Sequence, residues 1–298
     1  MSVESIPSRS DTTYFGRIKA VSDMRRLRIS AISYLNTAPL VWDFEHEPLR
    51  SKLREQFDVT YTIPSACATA LREGTADIGI IPAAAYASIP GLVILPGVAI
   101  AARNAVRSIL LISHEPLDQV KSVAMDTSSM TSVALCKVLL EKWLGGRREY
   151  VPMAPDLGKM LEESDAALLI GDPALLVDRP RYATVLDLAE EWRRNTGKPF
   201  VFAFWAVREG AMADLEQGLN LADIFQHSRD HGLESQNLKQ IVQQWAPQLG
   251  LTEESVQRYL TENIHYELDD ACLEGLRLYY RYAVEVESLP KIPSLRFI

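Results

Sequence analysis

Basic side chains are in deficit: 31 Lys and Arg against 39 Asp and Glu leave a formal charge of −8 at pH 7. Such a chain repels phosphate backbones, so nucleic acid is not an expected partner. Cysteine is scarce as well. Cys67, Cys136 and Cys272 are far apart and show no Cys-x-x-Cys spacing, which excludes a disulfide framework and a zinc ribbon and fits buried thiols in a reducing compartment. Among the five histidines, His227 and His231 are four apart but lack the glutamate and third ligand of an H-E-x-x-H metal site. They read as a solvated helix face, and His114 as a loop histidine. Gly-x-Ser-x-Gly, Gly-x-x-x-x-Gly-Lys-Ser/Thr and Gly-x-Gly-x-x-Gly are all missing, so a hydrolase elbow, a nucleotide phosphate loop and a dinucleotide fold lose support.

Long apolar runs are missing too. The most apolar stretch, 86–102, is broken by Pro90, Gly91, Pro96 and Gly97, which suit turns between buried strands better than a membrane helix of about 20 residues. No membrane span is expected. The first 24 residues carry Glu4, Asp11 and Asp23 and have no apolar run of the roughly 7–15 residues a signal peptide needs. A cytoplasmic location is the expectation.

What is present is an ordinary globular composition, 47% apolar over 298 residues, enough for about two domains. Residues 1–24 are polar and without periodicity and read as an extension. From 27 the chain alternates strand and helix: strands near 27–33, 57–63 and 77–81, a helix capped by Thr37, and another capped by Ser65 and ended by Gly74. A second alternating series follows, with strands at 108–112, 122–125 and 166–170 and a helix carrying Val133, Cys136, Leu140 and Trp143 on one face. Alternation of this kind implies an α/β fold with parallel sheets. The apolar strand 200–207 precedes amphipathic helix from Glu209 onward. The expected organisation is two lobes joined by two crossover strands: 25–107 with 206–298, and 108–205, with a cleft between them. Loops after Ile32, Ile81, Met125 and Ile170 then face the cleft, since ligands of open α/β sheets bind at the carboxyl ends of strands.

Three of those loops carry polar chemistry. Ser33-Tyr-Leu-Asn-Thr-Ala-Pro39 puts a hydroxyl, a phenol and a carboxamide between a strand and a helix start; it can bind a polar ligand or merely cap and turn. Asp126-Thr-Ser-Ser-Met-Thr-Ser132 holds five hydroxyl residues in six positions, a donor set for a carboxylate or phosphate at a helix start. One hydroxyl suffices as a cap, so Thr127 or Ser128 could serve while the rest bind. Gly171-Asp172-Pro173 reads first as a helix cap, with Asp172 the capping residue.

The motifs Ser33-Tyr-Leu-Asn-Thr-Ala-Pro39, Leu71-Arg-Glu-Gly-Thr-Ala-Asp77, Asp126-Thr-Ser-Ser-Met-Thr-Ser-Val-Ala-Leu135 and Pro199-Phe-Val-Phe-Ala-Phe-Trp-Ala-Val207 together resemble the chorismate dehydratase family of the futalosine route to menaquinone, in order from about 27 to 290. The resemblance implies a type II periplasmic-binding-protein-like fold and no cofactor or metal. It implies a dianionic substrate, chorismate, with Ser33, Tyr34 and Asn36 on the first-lobe side and Ser128, Ser129, Thr131 and Ser132 holding a carboxylate from the second. Gly171 and Asp172 complete that wall. Asn36 or Tyr34 is the expected donor to the departing hydroxyl, and a substrate carboxylate the expected proton acceptor. Where relatives carry a hydroxyl or acid after the third-strand proline, this chain has Ala83, Ala84 and Ala85, which removes a side-chain contact there. Two other readings share the fold: 1,4-dihydroxy-6-naphthoate synthase, against which the Ser-Tyr-Leu-Asn motif argues, and a solute-binding protein of an ABC importer.

Overall fold

The computed structural model describes residues 25–214 and 219–298; the extension expected over 1–24 lies outside the described residues. Ten strands form two sheets in two lobes. The first contains β1 (Leu27–Ile32), β2 (Phe57–Thr62), β3 (Ile78–Pro82), β4 (Leu92–Ala102) and β10 (Phe200–Arg208), in the order β2-β1-β3-β10-β4. The second contains β5 (Ile109–Ser113), β6 (Ser122–Asp126), β7 (Glu149–Met153), β8 (Ala166–Ile170) and β9 (Thr184–Asp187), in the order β7-β6-β8-β5-β9.

The sheets are mixed, which corrects the expectation of all-parallel pairing. In each, four strands run one way and a single strand runs against them, β10 antiparallel to its neighbours β3 and β4, and β5 antiparallel to β8 and β9. The antiparallel strands are where the chain enters the second lobe (β5) and returns to the first (β10). Parallel pairs need a crossover helix, whereas a strand arriving from the other lobe is free to run the opposite way. The lobe boundary drawn at 205 falls inside β10, whose whole length pairs in the first sheet.

Period-two alternation decides which side chains meet which layer. In β8, Ala166, Leu168 and Ile170 join the main core, while Ala167 and Leu169 turn to a smaller one with Leu110, Ile112 and Met160. The stretch 86–102 is one turn, at Pro90 and Gly91, followed by a single strand: β4 continues through Pro96 and Gly97 with a register shift against β10. No helix among the described residues is long and apolar enough to cross a membrane. The three cysteines are buried and free.

Three capping assignments change. The segment after Tyr34 is a 3-10 helix, Leu35–Val41, without a side-chain cap. The helix Pro64–Glu73 starts from Ile63 rather than from Ser65. Gly171, with a left-handed φ of 69°, stands before the short helix Asp172–Leu175, so Asp172 is its first residue and not its cap. Pro64 and Pro173 bring their own φ to two of these helix starts, leaving less for a cap to do.

After Glu209 the chain is mostly helical. The Leu221–Leu233 helix packs on Leu35–Val41, and the terminal helix Asp270–Glu285 touches both β10 and the second-lobe helix Met130–Lys142. The tail then returns to β4, where Ile94 N–H donates to Arg296 O at 2.7 Å. Asp77, the last residue of the Leu71–Asp77 motif, is a structural tie: it accepts the Arg28 backbone N–H at 2.9 Å and the Arg25 guanidinium at 2.6 Å. Despite its burial, those partners hold its carboxyl well below the usual range.

The contact of Leu221–Leu233 with Leu35–Val41 depends on Gly232, because a Cβ there would lie 2.2 Å from Pro39 O. Gly232→Ala is expected to cost ~1–3 kcal/mol, as overpacked sites do. Gly210→Ala, whose Cβ meets nothing within 4 Å, should stay within about 0.5 kcal/mol of the parent. Urea unfolding of both variants checks the pair.

Candidate active site between the lobes

The loops after β1 and β8 meet face to face. The Tyr34 ring lies so close over Gly171 that a Cβ on residue 171 would sit 2.7 Å from Tyr34 Cε2. Beside it the Leu35 backbone N–H donates to both Asp172 oxygens, at 3.1 and 3.2 Å. Further along, Ser65 N–H donates to Ser128 O at 3.1 Å, and Ala84 N–H to Thr131 Oγ1 at 3.1 Å. Each contact joins the first lobe to the second. The alanines at 83–85 thus meet the hydroxyl-rich turn through backbone groups, Ala83 O also accepting the Tyr280 hydroxyl at 2.7 Å.

The turn after β6 is shaped by Asp126. Its Oδ1 accepts Ser128 N–H at 2.8 Å and the Ser128 hydroxyl at 2.5 Å, and its Oδ2 accepts Ile170 N–H at 3.2 Å. This is the turn an Asp side chain makes with the backbone two residues on. Burial pushes the Asp126 carboxyl up, against the pull of those bonds. Ser129 is the cap of Met130–Lys142: its hydroxyl oxygen accepts Ser132 N–H at 3.2 Å, and its proton goes to Ser132 Oγ at 3.0 Å. Thr127 and Ser128 therefore do not share the capping role.

Behind these contacts is a narrow cavity of ≈ 40 Å³, a slot for a small molecule and not for a polymer. Tyr34, Asn36, Ser129, Ser132 and Gly171 line it, with Ile32, Ile100, Ile109, Ile170 and Phe202 making apolar walls. The other expected residues are engaged beside it. Ser33 is exposed with its hydroxyl on Thr62 O at 3.3 Å, Ser128 serves Asp126, Thr131 receives Ala84, and Asp172 receives Leu35. Burial pushes the Tyr34 phenol up, and the neighbouring Ser128 hydroxyl offsets part of that.

Ser108 and the fully buried Tyr259 were missed in the sequence. Asn36 Nδ2 donates to the Tyr259 hydroxyl at 3.2 Å, and that hydroxyl donates to Ser108 Oγ at 2.9 Å; Ser108 lines the cavity. A tyrosine in an amphipathic helical stretch carries no signal that separates it from the core, and neither does a serine opening an apolar strand. Among the described residues, no lysine, arginine, histidine or glutamate lines the cavity.

The histidines lie elsewhere. His231 is not a solvated bystander: its Nδ1 is 2.9 Å from both oxygens of buried Asp43, which raises its pKa. His114 is exposed, 4.9 Å from the Tyr182 ring between centroids. His265, Asp269 and Cys272 bring ligand-type atoms within 4.8 Å of one another, but Arg103 Nη2 sits 2.6 Å from Asp269 Oδ2. The guanidinium fills the place a cation would take.

Mixed five-stranded sheets in two lobes around a closed slot define the architecture of the periplasmic binding proteins. Solved structures with this fold include protein AF1704 from Archaeoglobus fulgidus, at a TM-score of 0.63 and 18% identity over 87% of this chain and 97% of that one. The aliphatic sulphonate binding protein SsuA from Escherichia coli gives a TM-score of 0.62 and 18% identity over 92% and 93%. Within that architecture, residues 27–285 match the model of the menaquinone biosynthesis family, and the chain belongs to that family. A chorismate dehydratase from Thermus thermophilus is 30% identical over 287 residues, 91% of this chain and 98% of the relative.

Asp172 gives the seam a pH dependence. Burial raises its carboxyl to about 6 from the ordinary 3.8, the Leu35 N–H offsetting only part of that. An acid raised in the folded state binds its proton there more tightly than in the unfolded chain. Its contribution to stability therefore falls as pH rises from about 4 to about 6 and stays low above, a change of up to ~3 kcal/mol. Asp172→Asn keeps an acceptor for Leu35 without the charge, so its stability relative to the parent should rise through that window and then level off. Denaturant melts from pH 4 to 7.5 on both proteins check the sign.

Proposed function

We propose that this chain dehydrates chorismate to 3-[(1-carboxyvinyl)oxy]benzoate. The observation that carries the reading is a slot of neutral donors, Asn36, Tyr34, Ser129 and Ser132, between apolar walls in a chain of the menaquinone biosynthesis family with a chorismate dehydratase relative. Ser132, at the start of Met130–Lys142, donates its hydroxyl to one carboxylate with help from the positive end of the helix, and Ser129, whose proton goes to Ser132 Oγ, sets the direction of that hydroxyl. Ser128, Thr131, Gly171 and Asp172 support that wall, and Ser33 flanks its entrance.

In the reaction one ring C–H and one ring C–O bond break, a ring double bond forms and water leaves. The change is redox-neutral and aromatisation drives it. Among the described residues no histidine, lysine or glutamate lines the slot to take the ring proton, so the substrate's enolpyruvyl carboxylate takes it. Removed from water and met by neutral donors only, that carboxylate is more basic than in solution. The proton leaves with the hydroxide as water. Asn36 and Tyr34 hold the substrate in a reactive pose and donate to the departing hydroxyl, work of position and electrostatics. With this activity goes a cytoplasmic location, supported by three buried free thiols.

Purified protein incubated with chorismate should yield the aromatic product, read by its ultraviolet absorbance. Binding without turnover would make the chain a solute-binding protein instead. Asn36→Ala should lower kcat roughly 10²–10³-fold with a smaller change in KM. Ser132→Ala should raise KM about ten- to a hundredfold and spare kcat, because the carboxylate it holds stays ionised throughout. Ser129→Ala should do the same and also lose ~1 kcal/mol of stability, since Ser129 is the cap. Steady-state kinetics with a parallel melt separates the three.

A further inference from the structure

We infer that Tyr259 is a positioning residue for this reaction, orienting the Asn36 carboxamide and the Ser108 hydroxyl from behind the cavity wall. The inference rests on the dehydratase reading. Tyr259 does not line the slot. It opens a π-helical turn, Tyr259–Asn263, that follows the helix Glu253–Arg258, and its ring is 1% exposed. Single π turns are uncommon and are frequent at functional sites.

The chain of bonds has a direction. The Tyr259 hydroxyl gives its proton to Ser108 Oγ, so toward Asn36 it offers only a lone pair. Asn36 must then turn Nδ2 to the tyrosine, which leaves Oδ1 on the side of the Thr37 hydroxyl, 3.5 Å away. One amide N–H is thereby spent on the tyrosine, and the second has no acceptor among the described residues. Ser108, having received a proton from Tyr259, keeps its own to give, and it too has no acceptor among the described residues. The relay therefore presents two donors from two different parts of the chain, the loop after β1 and the start of β5, with their directions set by one phenol. Donors in such a chain also strengthen one another. Burial pushes the Tyr259 hydroxyl up, which keeps it protonated, and so a donor, at neutral pH.

A buried tyrosine also packs, so the test must separate aim from stability. Four proteins are compared with chorismate as substrate: the parent, Asn36→Ala, Tyr259→Phe and the double variant. Product accumulates, so slow rates remain measurable. Tyr259→Phe keeps the ring and should lower kcat by about tenfold while moving KM less than about threefold, the pattern of a lost transition-state alignment. In the Asn36→Ala background the same change should lower kcat by less than about threefold, since of the two groups being aimed only the Ser108 hydroxyl remains. An equal fold-loss in both backgrounds, or an unchanged kcat, overturns the inference.

Should Tyr259→Phe fail to fold, Ser108→Ala removes the acceptor and leaves the ring in place. It is expected to show the same non-additivity with Asn36→Ala, and additivity overturns the inference. A parent without turnover overturns the dehydratase reading and this inference with it, whereas an active parent with additive variants overturns this inference alone.

Discussion

The closeness of Tyr34 to Gly171 governs the rest of the structure. The ring of one lobe rests where the other lobe has only a hydrogen on Cα, and a Cβ there would stand 2.7 Å from it. Closed to that distance, the lobes bring Leu35 N–H onto Asp172, Ala84 N–H onto Thr131 and Ser65 N–H onto Ser128 O. The slot is what remains between them. Its walls come from strands of both sheets, so neither lobe holds it alone. Residue 171 also has a left-handed φ, which only glycine adopts at little cost. Two independent constraints thus fall on one position.

The second property of the slot is its neutrality. A dianion placed against arginine or lysine would be held by charge, and its carboxylates would lose basicity. Hydroxyl and amide donors hold it by direction, and hydrogen bonds from neutral groups to a charged partner still contribute about 1.5–3 kcal/mol each. The two carboxylates nearest the slot are both pushed up by burial, Asp172 to about 6. Their backbone bonds tie them to shaping the turn and the seam. A binding fold so arranged needs little change to serve as an enzyme: the proposed substrate brings its own base, and the protein supplies pose and donors.

Much of the architecture was legible because it follows from short apolar runs, alternating at 27–32 and continuous in most of the others. The strands at 27–32, 57–62, 78–82, 109–113, 122–126, 166–170 and 200–208 all announced themselves in this way. β7 and β9 did not: β7 carries Pro152, which ordinarily argues against a strand and is tolerated here at a sheet edge, and β9 is only four residues long. Tyr34, Asn36, Ser129, Ser132 and Gly171 were found because motifs at strand ends flag them. Which hydroxyl caps, which carboxylate crosses the seam and which tyrosine backs Asn36 were not legible. Those depend on contacts such as Asn36 with Tyr259, 223 residues apart in the chain, and no local pattern encodes them.

If closure of Tyr34 onto Gly171 builds the slot, binding of the proposed substrate depends on residue 171 having no side chain. Calorimetric titration of chorismate into Gly171→Ala, beside the parent protein, tests it most directly. The added methyl should prop the lobes apart and weaken binding by about a hundredfold or more, while each lobe keeps its fold. Parent-like affinity in that variant would contradict that dependence, since the slot would then form without the contact.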